Sequence, residues 1–489
     1  MNEALQTMTK GQHHSFCTLA MLICFIVFTA NGCMVGPDYH PPQPMVPTGW
    51  VGTEKAPAEQ PSVAIAQPAD FAAWWKQFND PILDRLVDEA VRKNPNLLIA
   101  EARLRQARAA RGVAVGGLWP SVTASGSYQR LHNSSTSVTP GNTDLYQAGL
   151  DAMWELDLFG GQRRNVESAN ANIQAAIENI RDVQVSLIAE VALDYIQLRG
   201  FQQQIIIARN NLDAQKHTAD ITRKRFTVGF ASALDVANAE ASVATTASQI
   251  PVFETSERQS IYALSVLLAR LPADLMIQLS PVGKLPTIPV NIPVGLPSDL
   301  LRRRPDVRES EAQLHVATAQ IGIAVADLFP SFSLTGTLNW SSNQLRTWWN
   351  EASRSSAIGP SITWPIFQGG AIISNVHVQE ALRDQVFITY QETVLAAFQD
   401  VENAMVAFNK EQQHRKLLQD AVDNNRKAVN LSLLLYTEGQ IEFLNVLVAQ
   451  TSLYTSENAL MQSDQNIVTD LIALYKALGG GWEAGPHDE

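Results

Sequence analysis

Two stretches of this 489-residue chain, Pro120–Phe159 and Pro330–Phe367, each hold a pair of strand-like runs. In the first, Val122, Ala124, Gly126 and Tyr128 alternate with Thr123, Ser125, Ser127 and Gln129. After a loop rich in Asn, Ser and Thr, Leu150, Ala152, Trp154, Leu156 and Leu158 alternate with Asp151, Glu155 and Asp157, and Met153 breaks the polar side. In the second, Phe332, Leu334, Gly336, Leu338 and Trp340 alternate with Ser331, Ser333, Thr335, Thr337 and Asn339. Ile358, Pro360, Ile362, Trp364 and Ile366 form one face of a fourth run. Period two with one apolar and one polar face predicts strands between two different environments. An ordinary half-buried antiparallel sheet satisfies that pattern, and so does a sheet with lipid on one side and water on the other. Four strands cannot close a membrane barrel, and an open sheet edge is not tolerated in lipid. A membrane-crossing version therefore requires several copies of the chain to share one barrel.

The two stretches belong to a larger repeat with a constant offset of 210 residues. Pro95, Glu101, Ala102, Leu104, Ala107, Gly112, Ala114, Leu118, Pro120, Ser121 and Gly126 recur as Pro305, Glu311, Ala312, Leu314, Ala317, Gly322, Ala324, Leu328, Pro330, Ser331 and Gly336. Trp154 matches Trp364 and Asn165 matches Asn375, while Gly229, Leu234, Val236 and Ala239 match Gly439, Leu444, Val446 and Ala449. One offset held over so long a span is a tandem duplication.

The N-terminus carries an export signature. Lys10, His13 and His14 precede the apolar run Phe16–Phe28, followed by Thr29-Ala30-Asn31-Gly32-Cys33. A basic region, a short apolar run and small residues before a cut predict a secretory signal, and the run is short of the roughly 20 residues that a spanning helix needs. Small residues directly before Cys33 resemble a bacterial lipoprotein processing site, which would acylate that cysteine, although Ala30 stands where such sites usually carry Leu or Val. Residue 34 is Met rather than Asp, which by the same resemblance favours sorting to the outer membrane. Removal of the signal takes Cys17 and Cys24 with it, so no disulfide framework is expected. A net charge of −12 argues against a nucleic-acid partner. Mean hydropathy near zero argues against a helical membrane protein.

Along the mature chain, eight prolines between Val35 and Pro68 predict an extended tether. Asp80-Pro81 opens a helix with an Asp cap and Pro in the first turn, and a second helix starts near Asn94-Pro95. After Gly160-Gly161, Val166, Ala169, Ile173, Ala176, Ile180, Val183 and Leu187 form a seam in steps of three and four, with small residues admitted. One helix across this Pro-free stretch would be roughly 100 Å long at 1.5 Å per residue. The boundaries predicted are a signal at 1–32, a lipid-anchored tether at 33–70, and a first repeat at 71–270. Its strands fall near 119–131 and 145–159, and its hairpin tip near 228–230. A Pro-rich junction at 271–297 leads to a second repeat at 298–478, with strands near 330–341 and 356–367 and a tip near 438–440, then a mobile tail at 479–489.

Each half thus reads as helix–strand–strand–helix. Three chains would supply twelve strands, within the even-numbered range of outer-membrane barrels, above a tube of helical hairpins that cannot bury their faces alone. The fold class expected is mainly α with a membrane β-barrel: a trimer forming a 12-stranded barrel on a long periplasmic α-helical barrel.

The chain resembles the TolC-like outer-membrane efflux factors, in particular the NodT-type lipoproteins of tripartite pumps. The residues that carry the resemblance are Gly32-Cys33-Met34-Val35-Gly36-Pro37-Asp38-Tyr39, Trp74-Trp75, Phe78-Asn79-Asp80-Pro81, Asn94-Pro95-Asn96-Leu97, Gly295-Leu296-Pro297-Ser298-Asp299-Leu300-Leu301 and Arg303-Arg304-Pro305-Asp306. The resemblance implies a homotrimeric, lipid-anchored outer-membrane duct. It would pass substrate passively from an inner-membrane transporter, of the RND type, and a periplasmic adaptor to the exterior. It also implies sites. Val228-Gly229-Phe230 looks like the helix-tip motif where adaptor hairpins dock, with Gly439-Gln440 as its second-half counterpart. Leu234-Asp235 and Leu444-Asn445 would lie at the periplasmic constriction, where the family often carries a ring of Asp. Neutral Asn445, with Val448 in place of a common Asp, suggests an apolar gate at Leu444. Asp235 reads equally as a solvated helix residue.

Two other classes compete. For an enzyme, the scattered His residues form no H-E-x-x-H pair, and neither G-x-S-x-G nor a Walker A loop occurs. No cofactor or metal is expected. Gly160-Gly161 and Gly369-Gly370 could suggest phosphate binding, but recurrence after strands in both halves reads as a strand-to-helix transition. The Arg302–Arg304 cluster could bind anions or simply pack at a helix end. The remaining alternative is a periplasmic coiled-coil scaffold or adaptor without a pore.

Overall fold

A computed structural model describes residues 34–51, 62–65, 71–134, 136 and 141–482. The predicted signal and Cys33 lie outside the described residues. The duplication is visible element by element. Helix α1 (Pro81–Lys93) is followed by α2 (Pro95–Gly116), strands β2 (Ser121–Asn133) and β3 (Gly141–Leu156), and helices α3 (Gly161–Thr227) and α4 (Ala233–Leu267). In the second half, α7 (Pro305–Ala326) leads to β5 (Ser331–Ser342), β6 (Arg354–Thr363), α8 (Ala371–Thr437) and α9 (Phe443–Ala477). The paired helices have equal lengths: 22 residues for α2 and α7, 67 for α3 and α8, and 35 for α4 and α9. Among the described residues, no helix is long and apolar enough to cross a membrane.

The elements between the halves are short. β1 (Val63–Ile65) pairs in parallel with β4 (Asn291–Pro293), and α5 (Met276–Leu279) and α6 (Pro297–Arg303) flank β4. Three-residue strands carry no readable alternation, so this small sheet was not legible in the sequence.

The chain divides into two compact units. Unit 1 comprises Met1–Pro42, Leu104–Ala175 and Ser310–Tyr390 and contains the four-stranded sheet. Its order is β2-β3-β5-β6, antiparallel throughout. The register aligns the two chemistries across all four strands. Val122, Ala152, Gly336 and Ile358 form one row, and Ala124, Leu150, Leu338 and Ser356 the next. On the other face, Thr123, Asp151, Thr337 and Ala357 form a row beside Ser125, Gly149, Asn339 and Ser355. A shift of one residue in any pairing would mix the faces. The strands run from 121 to 133, 141 to 156, 331 to 342 and 354 to 363, each end within four residues of the expected limit. Trp154 Nε1 donates to the Leu118 carbonyl at 3.0 Å, and Trp364 Nε1 donates to Leu328 at 3.2 Å, the same bond in both halves. Asp157 does not continue the polar face. It leaves the strand and accepts from the backbone of Gln162 and Arg163 and from the Arg163 side chain at 3.1 Å, capping α3.

The described part of the tether is extended but not free. In unit 1, Val35 N–H bonds the Phe159 carbonyl at 3.1 Å, and the fully buried Arg164 reaches Asp38 at 2.7 Å and Glu167 at 2.8 Å. The Tyr39 ring stacks on His315 at 4.2 Å. Gly36, at φ +85°, lies so close to Gly322 that a Cβ would stand 2.6 Å from the Gly322 Cα, so both positions require glycine.

Unit 2 comprises Gln43–Arg103, Ala176–Glu309 and Gln391–Glu489. Its aromatic core stacks Trp74 on Tyr475 at 5.1 Å, with Phe78 edge-on at 5.9 Å. Asp80 caps α1 through Ile82 N–H and also accepts the Tyr195 hydroxyl at 2.6 Å. Trp50, on the continuing tether, is buried and donates to the Gly295 carbonyl at 3.1 Å. The expected mobile tail is corrected in its first four residues. Gly479–Gly481 are buried, Gly481 N–H bonds Phe71, and Trp482 donates to the Arg303 carbonyl under the Arg181 guanidinium. Side chains would not fit here: a Cβ on Gly480 would stand 2.9 Å from the Trp74 ring. Residues 483–489 lie outside the described residues.

Candidate functional site

The two hairpin turns, α3 to α4 and α8 to α9, are built alike. Each long helix ends in Thr, and a glycine in the left-handed region follows: Gly229 at φ +81° and Gly439 at φ +80°. Gly229 N–H returns to Phe226 and Phe230 N–H to Arg225, while Gly439 returns to Tyr436 and Gln440 to Leu435. This double closure satisfies carbonyls that would otherwise end the helix unpaired. No atom lies within 4 Å of a Cβ built on Gly229, so conformation and not crowding demands glycine there.

The turns differ in their second halves. Ser232 accepts from Asp235 N–H at 3.1 Å and donates its own N–H to Asp235 Oδ2 at 2.9 Å, a reciprocal cap for α4. At the equivalent place Glu442 makes no side-chain cap, and the Asn445 amide donates to the Glu442 carbonyl at 3.4 Å. Asp235 is thus half-buried and engaged in its own helix start, while Asn445 stands exposed.

The first tip is apolar and open: Val228 is 66% exposed, Phe230 74% and Leu234 67%. The second tip is polar, with Gln440 donating to Glu438 at 2.9 Å, and Leu444 beyond it is 57% exposed. Between the hairpins lies a small core of Ala219, Ala239, Tyr436, Phe443 and Val446. Arg225 bridges them. Its Nη1 donates to the Thr437 carbonyl at 2.8 Å, at the C-terminal end of α8, and its guanidinium covers the Tyr436 ring at 4.8 Å. The structure therefore brings both turns, with the Leu234-Asp235 and Leu444-Asn445 pairs beside them, to one end of the hairpins of unit 2. The bridge formed by Arg225, Tyr436 and Phe443 was not read from the sequence. Its only signal was a break in the repeat, where Phe443 answers Ala233.

The other candidates resolve structurally. Gly160 (φ +84°), Gly369 (φ +59°) and Gly370 (φ +85°) turn strands into helices. Arg304 pairs with Asp306 at 2.7 Å and Asp400 at 3.0 Å, and Arg303 lies over the Phe71 ring, so the arginine cluster serves unit 2 packing. Cys33 is outside the described residues, and its neighbour Met34 lies against Gly160. Burial pushes the carboxyls of Asp194 and Asp470 up to about 6, with Glu190 and Glu411 adding repulsion.

The profile of one family, outer membrane efflux protein, matches residues 86–270 and again residues 296–480. The chain belongs to that family. Nodulation protein T of Rhizobium leguminosarum bv. viciae is 32% identical over 477 residues, covering 96% of this chain and 95% of that protein. Toluene efflux pump outer membrane protein TtgF of Pseudomonas putida is 32% identical, covering 93% and 95%. Among solved structures, the outer-membrane channel OprN superposes with a TM-score of 0.84 at 35% identity, covering 92% of this chain and 100% of that one. This outer membrane efflux protein is accordingly an exit duct of the outer membrane, with the TolC-like fold, in a tripartite efflux pump.

Proposed function

We propose that three copies of the chain close one barrel of twelve strands, each copy anchored by acylated Cys33, with the helical hairpins forming a periplasmic tube beneath. The observation that carries this reading is the register of the sheet. A mainly apolar face backs a mainly polar face, yet β2 and β6 each have an unpaired edge among the described residues. In lipid those backbone groups need partners, and another copy of the same sheet supplies them. Phe332 to Trp340 spans eight residue steps of β5, roughly 27 Å along the strand and about 21 Å after a 40° tilt, close to the apolar band of outer-membrane barrels. Asp151 and Glu155 lie on the lumen face.

The periplasmic adaptor docks at the tips, on Val228, Gly229 and Phe230 and on Gly439 and Gln440, and joins the duct to an inner-membrane transporter of the RND type. The open apolar first tip supports that docking better than the polar second one. Leu234, Asp235, Leu444 and Asn445 form the constriction, with Leu444 as the gate. Transport is passive and the chain performs no catalysis.

The test is single-channel recording of purified protein, with subunit number from native mass spectrometry. A low-conductance pore from a trimer that widens in Leu444→Ser is the expected result. A monomer that inserts nothing into bilayers refutes the shared barrel, and an unchanged conductance in Leu444→Ser refutes the gate.

A further inference from the structure

The loop between β5 and β6 does not project freely from the sheet. Trp348 Nε1 donates to the Trp340 carbonyl at 3.3 Å, and Ser353 Oγ donates to the Thr347 carbonyl at 2.8 Å, folding residues 345–353 back on themselves. Its two tryptophans join a continuous aromatic patch. Tyr128 and Tyr146 lie 4.9 Å apart, Tyr146 and Trp348 6.2 Å, Trp348 and Trp349 4.9 Å, and Trp349 and Trp340 5.4 Å. Tyr128, Tyr146 and Trp340 share the face that carries Val122, Leu150 and Leu338, so the loop is folded over the apolar side of the sheet.

Two cations belong to the same loop and its edge. Trp349 is 63% exposed. Arg354 stands directly opposite Trp340 in the β5–β6 register, on the same apolar face as Ile358 and Ile362. Arg346 lies exposed in the loop, three residues before Trp349. The neighbouring acid, Glu351, holds Arg354 at 3.2 Å but is itself 79% exposed, a pair that water and salt weaken easily. Arginine beside an amphipathic ring at the rim of an apolar band matches a membrane headgroup: the ring sits at the interface and the fork binds phosphate oxygens.

We propose that Arg346, Arg354 and Trp349 bind the phosphorylated headgroup of an outer-leaflet lipid against the distal rim of the barrel. This rests on the membrane-spanning reading of the sheet, in which the loop end is the end away from the helices. Charge complementarity selects the occupant. The apolar face of the sheet disfavours a free anion and packs against the lipid's acyl chains, while the two guanidinium groups meet the phosphate.

The test uses full-length protein in phosphatidylcholine nanodiscs doped with diphosphoryl lipid A. Lipid retained after extraction is counted by native mass spectrometry, and pore conductance is recorded from the same preparation. Wild-type protein retains diphosphoryl lipid A. Arg346→Ala with Arg354→Ala lowers its apparent affinity at least about tenfold, the scale of losing charge-assisted bonds. Arg346→Lys with Arg354→Lys keeps most of it. Equal retention by wild type and the double alanine variant overturns the proposal, as does equal retention of a lipid A lacking both phosphates. Loss of lipid with normal conductance in the alanine variant separates this site from the duct itself; a preparation with no pore refutes the membrane-spanning reading instead.

Discussion

The contact between the two tips sets a measurable barrier to separating them. In Arg225→Ala, α8 loses a charge-assisted hydrogen bond to its terminal carbonyl, a cation over Tyr436 and a positive charge at its C-terminus. Separately these are worth about 1.5–3, 0.5–1 and 0.3–1 kcal/mol. They share one side chain at a partly exposed site and do not add, so the expected loss is about 2 kcal/mol per chain. That is roughly a 30-fold shift in any two-state equilibrium that the contact holds on one side. If the hairpins of one chain slide apart when the duct opens, Arg225→Ala raises open probability in planar bilayers, and Arg225→Lys, which keeps the charge without the fork, falls between. Sensitivity of cells to large antibiotics gives a second reading, because a leakier duct admits them. Unchanged open probability in a variant that assembles normally would refute the reasoning, since it would mean that the two hairpins of a chain move as one body.

Two further predictions concern stability. Ala269 ends α4 at φ +54°, where the second copy has Gly479 at φ +72°; Ala269→Gly should stabilise by about 1 kcal/mol in chemical denaturation. The reverse change, Gly479→Ala, should cost about 2 kcal/mol, because its Cβ would also stand 3.0 Å from the Arg303 carbonyl, and equal and opposite effects would argue against that crowding. The raised carboxyls of Asp194 and Asp470 oppose folding once ionised. Their folded value of about 6 lies above the unfolded value near 3.8, so native stability falls as pH rises from 3.8 through 6. Asp194→Asn with Asp470→Asn should therefore gain about 1 kcal/mol at pH 7.5, after discounting for solvent screening, and lose the wild type's gain on acidification. A titration that parallels wild type would show these groups ionise freely.

Repetition and period were what the residues could announce. The offset of 210 recovers every major element pair, and the alternation around Val122 and Phe332 assigns the two faces that the register displays. A tip glycine is likewise legible, because a left-handed turn between long helices selects it locally. Asp157 and Asp235 were less legible: each lies in a polar pattern but is used as a helix cap, a choice decided by backbone groups a few residues away.

The sequence alone thus determined the duplication, the helix lengths and the side of each strand, since these follow from local periodicity and steric preference. Only tertiary structure decided that Arg225 of one hairpin closes the end of the other, that Trp348 and Trp349 fold onto the apolar face, and that Gly479–Gly481 are buried. Each of those depends on which residues distant in the chain come to lie within a few ångströms, and single-residue preferences carry no record of that distance.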